Sequence, residues 1–354
     1  MIENNILNVL KVFGLSAIAF IVGVLLTPIL TYYLYKYKLW RKEVRKFGPD
    51  GRGTPIFSKL HKDNETRVPR MGGILIWVVP TLLIYIFYFL SLLDGPLYNK
   101  LNFLSRNQTW LPLFTLVAAS ILGLVDDLWQ TLGKGNYIAG GMRFSWRLSI
   151  IILIAIIGSL WFYFPLETNE IYVPFLGHMF LGWVFIPLFI LIMLATFSGS
   201  IIDGLDGLAG GVMAAIFAAY AGIAFFQNQI DLAAFCAVIV GAIAAFLWFN
   251  IPPARFYMGE TGILGLTTSL TVVAFLTDAV TVLPLIALPL VLDAGSVIIQ
   301  LISKKYFGRK VFLVSPLHHH FEAIGWPAYK VTMRTWILSA VCAVMGMVIA
   351  ILGR

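Results

Sequence analysis

Apolar stretches of about twenty residues recur along almost the whole chain, and a helix needs ~20 such residues to cross a hydrocarbon core. Read by length and hydropathy, the sequence offers ten of them, at 9–35, 71–93, 109–125, 146–165, 178–198, 207–226, 231–250, 262–277, 279–303 and 333–353. Polar and turn-forming clusters separate them, such as Asp94-Gly95-Pro96, Gln227-Asn228-Gln229 and Asn250 to Pro253. Helices of this kind satisfy every backbone group internally, so they tolerate lipid. The expected fold is therefore all-α: one integral membrane domain over 1–354 with about ten transmembrane helices. Composition agrees. Of 354 residues 60% are hydrophobic and 12% charged, whereas about a quarter of a soluble domain is charged. No single water-soluble core can hide so much apolar surface.

Basic residues set the orientation. With ten spans, alternate loops share a side. The loops after spans 1, 3, 5, 7 and 9 carry 21 of the 25 Lys and Arg; the other side holds Lys11, Lys100, Arg106 and Arg354. Positive loops stay in the cytoplasm, which places both termini outside (N-out, C-out). The net charge of +8 fits loops beside anionic lipid and an anionic substrate better than nucleic acid. The first apolar segment is too long for a signal-peptide core and lacks a small-residue cleavage site, so it reads as the first helix. Cys236 and Cys342 both fall in apolar segments and have neither disulfide nor metal spacing.

Only 17 residues are acidic, and several gather at one side of the membrane. Asp126 and Asp127 end the third span, Asp203 and Asp206 open the sixth, and Glu260 precedes the eighth. Helix capping is the plain reading for Asp203 and Asp206. It fails for Asp126 and Asp127, because a helix C-terminus disfavours negative charge; a pair of carboxylates there needs a cation. Hard oxygen ligands without cysteine point to Mg²⁺ or Mn²⁺ rather than zinc. The glycines of Asp203-Gly204-Leu205-Asp206-Gly207 let backbone approach a phosphate closely. Carboxylates, glycines and basic loops together are equipment for metal-assisted phosphoryl transfer.

His318, His319 and His320 lie in the last cytoplasmic loop, a solvated polar segment on the plain reading. Three consecutive histidines cannot all face one metal from a regular helix or strand. Imidazoles near an anionic substrate are the sharper reading. Asp293 follows Pro284 and Pro289, which kink or break the ninth helix. It is either a functional group or a partner for the broken backbone.

In order and spacing, VDDLWQ, IIDGLDGLAGG, NIPPARFYMGETG and SPLHHHFEAIGWP resemble the polyprenyl-phosphate N-acetylhexosamine-1-phosphate transferases. The His triplet and the following GWP, with Lys330 and Arg334, resemble the branch that transfers phospho-N-acetylmuramoyl-pentapeptide. The resemblance implies a ten-helix homodimer in the bacterial cytoplasmic membrane with its active site facing the cytoplasm. It implies Mg²⁺-dependent transfer of phospho-MurNAc-pentapeptide from its UDP carrier to undecaprenyl phosphate, giving lipid I and UMP for peptidoglycan. It assigns Asp126, Asp127 and Asp203 to catalysis, with Asp126 as base on the lipid phosphate, and these three with Glu260 to the metal. It assigns Asp206 and Gly204 to the nucleotide, Asn250 and Tyr257 to the uridine, and His318, His319 and His320 to the substrate. This chain differs from the family pattern at Gln130, where Lys is usual and Lys134 is the nearest substitute. It differs also at Ser200 for Asn and Glu260 for Asp, and its VPRMGG segment is closer to the GlcNAc-1-phosphate branch, which is the alternative function. A transporter would place acids near the midplane and show inverted repeats; neither feature is present in the sequence.

Overall fold

The computed structural model describes residues 2–42, 66–93, 95–133 and 140–354. Its main helices are α1 (Leu15–Lys36), α2 (Ile74–Ser91), α3 (Trp110–Leu132), α4 (Phe144–Tyr163), α5 (Phe185–Ser198), α6 (Leu208–Phe226), α7 (Ile230–Asn250), α8 (Glu260–Leu276), α9 (Leu288–Tyr306), α10 (Leu317–Ala323) and α11 (Ala328–Leu352). Among the described residues eight helices are long and apolar enough to cross a membrane, and nine if the bent pair Val280–Ile286 and Leu288–Tyr306 makes one span. Among the described residues the protein is nearly all-α, with one exception. Glu170–Val173 (β1) and Gly177–Phe180 (β2) pair antiparallel.

That hairpin corrects the expected start of the fifth span at 178. The apolar run there contains Gly177 and Gly182, both at positive φ, which suits a turn rather than a helix. The helix begins only at Phe185. At the other end of the list, α3 runs seven residues past the expected end at 125, to Leu132, where Gly133 in the left-handed conformation stops it. The first helical stretch also starts earlier, at Ile2, and passes through a π-turn at Leu10–Gly14 before α1. The ninth span is broken by 79° between Ile286 and Leu288, as its prolines require.

The helices sort by burial. In the most apolar window of Ile230–Asn250, 72% of residues are buried inside the protein; in Ile6–Lys36 and Ala328–Leu352 the figure is 28%. The first is a core helix, and the other two present most of their surface outward. Helix α8 is buried from Thr261 through Phe275. Its hydroxyls bond within the helix, as Thr267 does to the Ile263 carbonyl at 3.0 Å. Others tie it to α3: Thr261 Oγ1 donates to the Ser120 carbonyl at 3.1 Å and Thr268 Oγ1 to that of Thr115 at 3.2 Å. Small, self-satisfied side chains let two helices close on each other in an apolar setting. The result fixes the start of α8, Glu260, beside the final turns of α3.

Candidate active site

Asp126 and Asp127 do not cap the end of α3. They lie more than a turn inside it, at 1% and 0% exposure. Buried charge must be paired, and two arginines do this. Arg147, in the first turn of α4, reaches Asp126 at 3.1 Å and Glu260 at 3.2 Å. Arg70, just before α2, reaches Asp127 at 3.2 Å. The backbone completes the shell: Met142 N–H donates to Asp126 Oδ1, and Thr261 N–H donates to Asp127 Oδ2 at 3.0 Å. Arg70 is held in place by main-chain pairing of its segment, with Tyr257 N–H donating to the Pro69 carbonyl and Gly72 N–H to that of Tyr257, both at 2.8 Å. Burial alone would lower the Arg70 pKa, but Asp127, Asp203 and Glu260 together raise it.

The second aspartate motif faces the same cluster. Neither of its carboxylates caps α6, correcting the capping expectation. The residue before that helix is Gly207, at φ +75° with no side-chain cap. Asp203 Oδ2 instead accepts from Gly259 N–H and Asp206 Oδ2 from Ala254 N–H, each at 3.1 Å. Gly259, at φ +73°, cannot become a larger residue, since a Cβ there would run into the Asp127 carboxylate. Desolvation pushes the Asp203 pKa up to about 7; Arg70 opposes this, while Glu260 and Asp127 add to it. The residue as a whole is only half-buried, which tempers the desolvation.

Asn250 and Tyr257 stand beneath this loop. Asn250 accepts from Gly207 N–H at 2.9 Å and donates to the Phe256 carbonyl at 2.8 Å, so it frames the loop. The half-buried Tyr257 lies in the segment laced to Pro69–Gly73. The His triplet is a correction to the solvated-loop reading: it forms part of a short helix, α10, with His318 and His319 buried. His318 Nδ1 meets Asp293 Oδ2 at 2.6 Å, His319 Nδ1 meets Glu322 Oε2 at 2.6 Å, and His320 Nδ1 accepts from Leu313 N–H at 3.3 Å. His318 also closes on the Asp203 motif, because a Cβ on Gly204 would strike its Nε2. Asp126, Asp127, Asp203, Gly204, Glu260 and His318 therefore share one neighbourhood. Asp206 and Asn250 flank it, and His319 and His320 bond to Glu322 and the Leu313 N–H beside His318.

Three site residues escape sequence reasoning. Arg41, Arg70 and Arg147 count there only as loop charge. The available signal was the acid pair itself, which needs nearby cations. Arg41 also accounts for Gln130. It donates to Gln130 Oε1 through Nε at 3.0 Å and Nη2 at 2.7 Å, while Gln130 Nε2 donates to Asp126 at 3.0 Å. The amide thus relays a guanidinium to the carboxylate where a lysine would touch it directly. Lys134, the expected substitute, lies outside the described residues.

Among the described residues, four carboxylates, Asp126, Asp127, Asp203 and Glu260, are compensated directly by two guanidiniums. The hard oxygen donors and surplus negative charge suit a divalent cation. Among the described residues, no three or more His, Cys, Asp or Glu form a ready metal cage.

The family model described as glycosyl transferase family 4 matches residues 109–278, a range that includes all four carboxylates. The chain is 34% identical over 344 residues to a phospho-N-acetylmuramoyl-pentapeptide-transferase of Geobacillus sp., covering 94% of this chain and 96% of that protein. A protein of the same name from Anoxybacillus flavithermus is 33% identical over 95% of this chain and 97% of its own length. Another from Chloroflexus aurantiacus is 34% identical over 96% of this chain and 89% of its own.

Proposed function

Since the chain belongs to the phospho-N-acetylmuramoyl-pentapeptide-transferase family, we propose that it moves phospho-MurNAc-pentapeptide from UDP to undecaprenyl phosphate in peptidoglycan synthesis. The observation that carries this reading is the joining of the arginine-bound carboxylate cluster to the His318 helix across Gly204. It unites a phosphoryl-transfer centre with the segment that distinguishes the muramoyl branch.

An oxygen of the lipid phosphate attacks the phosphorus bonded to the sugar. The bond from that phosphorus to the UMP oxygen breaks, UMP leaves, and lipid I forms. Arg70 and Arg147 supply fixed positive charge where both phosphates crowd together. Asp126, the candidate base, is oriented by Met142, Gln130 and Arg147. Asp127, Asp203 and Glu260, with Asp126, would hold Mg²⁺ or Mn²⁺. When bound, that ion screens the repulsion between the acceptor and donor phosphates. Asp206, Gly204, Asn250 and Tyr257 would receive the nucleotide, and His318, His319 and His320 the remainder of the donor.

Ten spans, rather than eight or nine, follow if α8, at 17 residues, and the bent pair both cross. Successive crossings then put Asp127, Asp203, Glu260 and His318 at one end. The basic loops make that end cytoplasmic, in the inner membrane, with both chain termini outside. A homodimer is carried over from the resemblance.

Purified protein in lipid should release UMP from UDP-MurNAc-pentapeptide only when undecaprenyl phosphate is present, and little from UDP-GlcNAc. Equal release from both donors favours the second reading, a GlcNAc-1-phosphate transferase. That reading has one observation behind it: VPRMGG, whose Arg70 binds Asp127.

A further inference from the structure

His318 is 3% exposed, and its fully buried Nε2 has no hydrogen-bond partner among the described residues. Buried polar atoms are almost always satisfied, so an orphan at a site wall calls for a ligand atom. The rest of the ring is fixed. Asp293 Oδ2 lies 2.6 Å from Nδ1, and Oδ1 accepts from the His318 backbone N–H at 3.2 Å. The neighbouring His319 ring packs edge-on at 4.2 Å. Asp293 does not mend the broken ninth span; there Ala287 N–H bonds to the Leu283 carbonyl. Both its oxygens serve His318.

A carboxylate only accepts hydrogen bonds, so Nδ1 carries the hydrogen and neutral imidazole leaves a lone pair on Nε2. That lone pair faces the Gly204 main chain, beside Asp203. We infer that Asp293 is a positioning residue for the nucleotide-sugar donor: it holds His318 in the tautomer whose Nε2 accepts a hydroxyl or amide N–H of that donor. This rests on the transferase reading for the identity of the donor, and on the structure for the tautomer.

Asp293→Asn tests it with little disturbance. The amide oxygen can still accept from the His318 N–H, and the amide nitrogen can donate to Nδ1. Both bonds survive, but the imidazole hydrogen is driven to Nε2 and the site atom turns from acceptor to donor. Nitrogen-15 spectra of histidine-labelled protein in bilayers, with the His318 signal assigned by its loss in His318→Gln, should show Nδ1–H in the parent and Nε2–H in Asp293→Asn. The kcat/KM for the UDP-sugar should fall about 100-fold, mainly through KM, because a polar site rejects a mismatched hydrogen-bond pattern. Thermal stability should hold. In a His318→Ala background, Asp293→Asn should add less than about twofold, because its effect runs through that ring. An unchanged tautomer overturns the inference, as does an unchanged kcat/KM or a full multiplicative loss with His318→Ala. A parent inactive on the muramoyl donor overturns the transferase reading alone, since the tautomer shift is read without turnover. If Asp293→Asn does not fold, Asp293→Glu must retain more kcat/KM than Asp293→Gln.

Discussion

Ion pairs stand at both ends of the helices, and the two sets are built differently. At the hairpin end, among the described residues, three carboxylates meet one base each: Asp231 with Lys11 at 2.6 Å, Asp278 with Arg354 at 3.6 Å, Glu170 with His178 at 2.9 Å. In the last two pairs every side chain keeps about a third or more of its surface in solvent. At the α3 end, among the described residues, four carboxylates share two arginines, and Asp126 and Asp127 are closed off from solvent. Matched, exposed pairs are cheap to keep and contribute little. Surplus buried acid is costly to keep, and on the proposed reading a cation and phosphates would offset it.

The largest effect expected from that contrast is metal dependence. Chelator should reduce UMP release to background, and Mg²⁺ should restore it. Full activity in chelator would mean that the arginines alone balance the cluster. Asp127→Asn and Asp203→Asn should each lower turnover ~10³-fold, in the range seen when one preorganised electrostatic group is removed. Glu170→Gln, at the opposite end and 44% exposed, should stay within about threefold. Comparable losses at both ends would erase the distinction.

Glu260 should come next. It is the first residue of α8 and shares Arg147 with Asp126. Its longer side chain is held against that guanidinium, so Glu260→Asp should withdraw the carboxylate from Arg147 and cost about 10- to 100-fold in turnover. Glu260→Gln should cost as much or more. A fully active Glu260→Asp would remove Glu260 from the centre.

Much of this was legible in the sequence because it rests on composition and period. Helix positions follow from apolar length, and the kink near Pro284 and Pro289 from missing donors. The acid cluster stands out because acids are scarce. What escaped depends on tertiary placement. Nothing local says that α3 continues past Asp127, since Leu128 to Leu132 reads as either helix or loop. Nothing local says that Arg70, Arg41 or Arg147 turns inward, because position relative to a buried acid is not a property of a segment. The hairpin at Glu170–Phe180 was masked by apolar residues that suit strand and helix alike. The His triplet reads as polar loop until Asp293 and Glu322, on α9 and α10, are brought beside it.

A smaller effect is expected at the relay from Arg41 through Gln130. Gln130→Ala breaks the bonds to both Arg41 and Asp126 and should lower turnover about tenfold. Gln130→Lys puts a cation directly against Asp126 and should keep most activity. The sharper test is Arg41→Ala in both backgrounds, a large loss with Gln130 and a small one with Lys at that position. Equal losses would show that Arg41 acts through some other contact.

The smallest effect is expected at Asp278, where the matched pair is weakest. Desolvation raises the Asp278 pKa, and Arg354 opposes this without cancelling it. With its folded pKa above the unfolded value, the folded state holds the proton more readily. Its favourable contribution is present below the ordinary carboxylate range and fades as pH rises through the folded pKa. At neutral pH the charged Asp278 is therefore a mild liability. The side chain is 36% exposed, so solvent screens the effect to under about 1 kcal/mol. Asp278 sits at φ +48°, and asparagine tolerates that left-handed region well. Asp278→Asn should raise Tm at pH 7 by no more than about 4 °C, lose that advantage near pH 4, and leave kcat/KM unchanged. A marked fall in Tm at neutral pH would show that the Arg354 pair outweighs desolvation, and that the exposed end is more tightly built than its matched charges imply.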